Sequence, residues 1–188
     1  MRHNPSTVVI LAGEVTPGTL RAIDRSANVS LIRAASDDQA GAADALARAA
    51  RITAPYVLVA ADPLAALAAQ WRAMWDIKAE QHDAAPFEVA ASEAVAAWRA
   101  GTFELPDYYL VLTGTQPADP DFYLGPLRSQ RPNRVAVAAT PETADPGSRA
   151  AEVLHVMGSL RHGPWWPPLD QIVSAARDFY PGSLAVSR

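Results

Sequence analysis

The residue best placed for chemistry in this chain is Asp62. It closes the apolar run Pro55-Tyr-Val-Leu-Val-Ala-Ala61 and is followed directly by Pro63. Two comparable runs precede it and two follow. Their ends carry Gly13-Glu14, Ser36-Asp37-Asp38, Thr113-Gly114-Thr115 and Thr140-Pro141. In a parallel α/β sheet the C-terminal ends of the strands form the ligand-facing edge, so these residues converge on one rim. A carboxylate on such a rim binds a metal, accepts a phosphoryl group, or caps the next helix.

Several chemistries can be tested against that rim. Dinucleotide binding wants a glycine-rich turn after the first strand. Here the turn reads Gly13-Glu-Val-Thr-Pro-Gly18, without the Gly-x-Gly-x-x-Gly pattern and with an acid that repels phosphate. Asp37 does stand where a ribose-binding acid belongs. No Gly-Lys-Ser/Thr and no Gly-x-Ser-x-Gly occurs, so neither a P-loop nor a serine elbow is present. The chain has no cysteine, which removes disulfides, thiolate metal sites and thiol nucleophiles. His3, His82, His155 and His162 are scattered. Glu152 and His155 make half of a di-iron spacing, with no second half. Glu14 and Asp62 are the acids able to share a Mg2+ ion, two donors where such a cation takes more. For any one of these rim residues, helix capping is the commoner use.

The elements that must position the rim read clearly. Residues 7–13, 29–34, 57–61, 108–113 and 134–139 are short, β-branched and continuously apolar, as strands covered on both faces are. Thr16-Pro17, Ser36-Asp37 and Asp62-Pro63 open helices after the first three. Leu67, Trp71, Met74 and Trp75 share one face of the third helix, and this stripe reads as core. Further helices are predicted over 87–99, near 122–129, over 148–160 and over 169–180, with Gly101 closing the first of them. Strands alternating with helices predict one three-layer, doubly wound parallel α/β domain over residues 1–188. It would carry an extra helical insertion at about 80–105 and a C-terminal helical extension at about 164–188.

Composition agrees with a globular chain: 188 residues, 49% hydrophobic and 19% charged. A formal charge of -4 argues against a nucleic-acid surface. Lys78 is the only lysine among sixteen Lys and Arg residues, a composition typical of GC-rich coding. No run is long enough to span a bilayer and no signal segment opens the chain, so a cytoplasmic protein is expected.

In order and spacing, the motifs resemble the receiver domain of bacterial response regulators, of the NarL/FixJ type. Ala35-Ser36-Asp37-Asp38 is similar to that family's turn after the second strand. Asp62 falls at its phosphoacceptor, Leu112-Thr113-Gly114 at its switch motif, and Thr140-Pro141 at its Lys-Pro. The segment Val156–Pro168 resembles the exit from its last helix. The resemblance implies the flavodoxin-like strand order 2-1-3-4-5, with Thr113 and Thr140 as switch-like residues. Gly13-Glu14 stands in place of the family's acid pair, Thr140 or Ala139 replaces its lysine, and no helix-turn-helix follows. The implied molecule is therefore a degenerate, non-catalytic receiver-like module, with no required cofactor and weak or absent phosphorylation of Asp62.

Such a module would act by self-association or by docking to a protein partner. Trp165 and Trp166, between Gly163-Pro164 and Pro167-Pro168, cannot both turn inward easily; with Arg161 and His162 they form the expected partner surface. The alternative is a small Rossmann-like enzyme or sensor, holding a nucleotide or phosphorylated ligand across Gly13, Asp37, Asp62 and Thr115.

Overall fold

The computed structural model describes residues 6–13, 15–36, 38–75, 83–114 and 121–179. Five parallel strands make one sheet: β1 (Thr7–Gly13), β2 (Val29–Arg33), β3 (Tyr56–Ala60), β4 (Tyr108–Thr113) and β5 (Val135–Ala139). The parallel α/β class predicted from the apolar runs is the one adopted. Side chains alternate between two cores, as strands buried on both faces require. Val9, Leu11, Leu58, Leu110 and Leu112 point to the first face, and Ile10, Val57, Val59, Tyr109 and Val111 to the second.

The strand order is β2-β3-β1-β4-β5 rather than 2-1-3-4-5. β1 and β3 exchange places, and β1 becomes the central strand. Val9–Gly13 pair with Tyr108–Leu112 on one side, and Thr7–Ile10 with Tyr56–Val59 on the other. All these strands are doubly buried, so periodicity could not rank their neighbours. One signal was available: the connection from β3 to β4 holds two helices, and a link that must pass over β1 needs that length.

The helices divide unequally between the faces. α1 (Pro17–Ile23) and α6 (Pro146–Met157) cover the first, through Ile23, Ala150, Val153 and Met157. They touch closely enough that a Cβ on Gly18 would lie 2.9 Å from Pro146 Cγ. The second face carries α2 (Gln39–Ala49), α3 (Ala65–Met74), α4 (Ala85–Arg99) and α7 (Leu169–Asp178). It also carries a π-helix at Tyr123–Leu127 that runs into a short α5 (Arg128–Gln130). The β1–β2 link passes leftward on one face, and the links from β2, β3 and β4 rightward on the other. These give one uniform crossover hand.

Local chemistry explains the helix ends. Thr16 caps α1 through the Thr19 amide at 3.1 Å, as its sequence suggests. The cap of α2 is Asp38 rather than Ser36 or Asp37: its Oδ1 accepts the Gly41 amide and the Ser36 hydroxyl, each at 2.7 Å. α4 ends at Ala100 and Gly101, the latter at φ 71°. The π-helix has its cause in Pro126, which has no N–H to donate. The next amide, Leu127, reaches back to Phe122 O at 3.0 Å, one residue further than an α-helix allows.

The predicted insertion and extension are both built into the second core. Phe87, Ala91 and Ala94 of α4 and Leu169, Ile172, Val173 and Ala176 of α7 are buried there. Trp71 of α3 is buried too, and its indole N–H donates to Ala176 O at 2.9 Å.

Candidate functional site

The C-terminal rim is assembled around β1. Gly13 ends that strand at φ 85°, and a Cβ there would lie 2.3 Å from Leu112 O. Only glycine lets β1 lie this flush against the end of β4. β1 also leaves the sheet on a different face from both of its neighbours. That is the topological switch at which open α/β sheets part their loops.

Thr113 and Thr140 close the rim beside Gly13. Both are buried, and the Thr140 amide donates to Thr113 O at 3.0 Å. Thr140 Oγ1 is fully buried and has no hydrogen-bond partner, an uncompensated polar atom at a strand end. Glu142 follows, its side chain beside Gly114, where an added Cβ would stand 3.6 Å from Glu142 Cγ. Buried Arg149, in the first turn of α6, holds this loop by donating to Glu142 O at 3.1 Å and Ala144 O at 3.3 Å. Glu14, Asp37 and Thr115, the other rim candidates, lie outside the described residues.

Asp62 is committed inward. Its Oδ1 accepts the Leu64 amide at 2.9 Å and the Tyr109 hydroxyl at 3.1 Å. Its Oδ2 accepts the Tyr123 hydroxyl at 2.5 Å. The two phenol rings lie 5.6 Å apart, and Trp166 packs edge-on against Tyr109. All three partners of the carboxylate are uncharged. Burial pushes the Asp62 carboxyl above the ordinary carboxylate range, against the hydrogen bonds from Tyr123, Leu64 and Tyr109. Burial, and next the Asp62 charge, push both tyrosine hydroxyls well above the usual phenol value. Tyr109 and Tyr123 thus fill the space beside Asp62.

A carboxylate offers about four acceptor sites, and a phosphoryl group or Mg2+ ion has to compete for them with the donors already in place. Both Asp62 oxygens are already engaged, and no group of three or more His, Asp and Glu able to hold a metal ion occurs among the described residues. Glu14, the other acid expected to share Mg2+, lies outside the described residues, and the groups on Asp62 itself are an amide and two phenols. The tyrosines were missed in the sequence. Tyr108-Tyr109 at the head of an otherwise aliphatic strand was the available signal, because a buried phenol needs a partner for its hydroxyl.

The predicted partner surface splits in two. Trp166 is not surface: it is 6% exposed, and its indole N–H donates to Pro106 O at 2.7 Å. Trp165 is 44% exposed, with the Arg134 guanidinium 4.5 Å over its ring. Adjacent residues of an extended segment face opposite ways, so one indole enters the core while the other leaves it. Arg161 and His162 are exposed beside it. This group lies at the N-terminal end of the strands, away from the rim.

Comparison with protein-family models, curated proteins and solved structures gave no match. The receiver-like resemblance thus rests on the sequence motifs alone. Among the described residues, no helix is long and apolar enough to cross a membrane.

Proposed function

We propose that the chain is a small binding module that takes a nucleotide or other small phosphorylated ligand at the rim between β1 and β4. The observation that carries this reading is the position of β1, beside β4 and flanked by strands that leave on the other face. Open α/β sheets hold ligands at that position. Gly13 lets a ligand approach backbone, and the Thr140 hydroxyl is a polar group still without a partner. Arg149 brings a cationic side chain beneath the rim loop. Nothing in the arrangement calls for catalysis. The receiver-like reading has less support: its strand order is not the one adopted, and Asp62 is buried against two tyrosines rather than open to a phosphoryl donor.

Thermal denaturation with nucleoside mono-, di- and triphosphates and with inorganic phosphate tests the proposal. A ligand bound only by the folded state raises the melting temperature with the logarithm of its concentration. Thr140→Val should keep the unliganded protein as stable or raise it by about 1 kcal/mol, since it removes an unpaired buried hydroxyl. The same change should cut the ligand-induced shift. No shift with any of these compounds at millimolar concentration refutes this reading.

A further inference from the structure

At the opposite end of the sheet, residues 131–134 and 161–165 lie side by side. Arg131 Nε donates to Trp165 O at 2.6 Å. Arg134 donates to Pro164 O at 2.6 Å, Asp107 O at 2.8 Å and Gly163 O at 3.0 Å. Asn133 Nδ2 donates to His162 O at 3.4 Å, and the Tyr108 hydroxyl to Arg161 O at 3.3 Å. This lattice fixes the backbone under Trp165, so a partner meeting that ring finds it already ordered.

The charge here is unbalanced. Arg134 spends its donors on carbonyl oxygens, which leave its positive charge in place. Arg131 does the same toward Trp165 O and Gln130 O. Arg161 and His162 are exposed, and none of the four has an acidic partner among the described residues. The nearest acid in the lattice, Asp107, uses Oδ2 to accept the Val8 amide at 2.8 Å. Four arginines elsewhere do pair with acids: Arg48 with Asp44, Arg72 with Asp121, Arg99 with Asp170 and Arg177 with Glu88.

We infer that the corner of Arg131, Arg134, Arg161, His162 and Trp165 docks an acidic peptide segment of a partner protein, whose carboxylates face the arginines and whose apolar atoms cover the indole. Arginine and tryptophan are the residues that anchor interfaces. A carboxylate also finds here the positive potential that steers association. A nucleic acid fits less well: the basic corner is small, and the chain around it is acidic, with a sequence pI near 5.5. This inference does not depend on the ligand proposed at the rim.

A fluorescein-labelled oligoglutamate peptide, titrated with the full chain and followed by anisotropy, tests it. Binding should be present at low salt and weaken as salt is added. Trp165→Ala and Arg161→Glu should each weaken it about tenfold or more, with thermal melting unchanged. If Trp165→Ala lowers the melting temperature, Arg161→Glu decides alone. No binding at low salt, or binding that neither variant weakens, overturns the inference. So does tighter binding of single-stranded oligothymidylate, which would make the corner a nucleic-acid surface. A dimer in sedimentation that Trp165→Ala splits would overturn it too, by placing a second copy there.

Discussion

Asp62 shows how one residue is decided by its surroundings. Its position at a strand end suits metal, phosphoryl or capping chemistry, but two phenols and an amide claim its oxygens. Because burial raises its folded pKa above the unfolded value, its stabilising contribution is fully present below the unfolded carboxyl pKa. That contribution is lost as pH rises through the folded value. Urea midpoints for Asp62→Asn, measured from about pH 4 to about pH 8, should therefore vary less with pH than those of the parent. Parallel curves for the two proteins would contradict this. Tyr123→Phe should cost about 1–3 kcal/mol, because a buried carboxylate oxygen loses its donor. An unchanged urea midpoint would show that the bond contributes nothing.

At the scale of elements, nearly every strand and helix was legible, and the reasons are local. Runs such as Val57–Ala60 are apolar on both sides, and Thr16-Pro17 and Gly101 mark helix ends through their own chemistry. What escaped was any feature set by a distant residue. The π-helix follows from Pro126 and was read only as a short helix. The Tyr109–Asp62–Tyr123 group joins three elements that no sequence window contains. The strand order, too, depends on connections rather than on strands. The connection between α6 and α7 was half legible, since its stiffness was visible in the prolines but the division of its two indoles was not. Trp166→Ala should destabilise the fold by about 3–5 kcal/mol, through a cavity beside Tyr109 and a lost bond to Pro106 O. Trp165→Ala should change stability by less than about 1 kcal/mol. Equal effects in chemical denaturation would mean that both rings are core.

For the whole molecule, the two layers of helices are built on different schedules. The layer of α1 and α6 is complete once residue 157 is in place. The other waits for α7, which comes after every other described element yet supplies Leu169, Ile172, Val173 and Ala176 to its core. In a chain emerging from the ribosome, Trp71 lacks its Ala176 acceptor until that helix clears the exit tunnel. Truncation after Gly163 should leave that core uncovered for good, giving dye-binding, protease-sensitive material without a cooperative melt. A sharp melt from the truncated chain would refute this. The Trp71 indole, whose N–H acceptor is Ala176 O, thus acts as a completion check: the core closes around it only after translation of the helix that caps it.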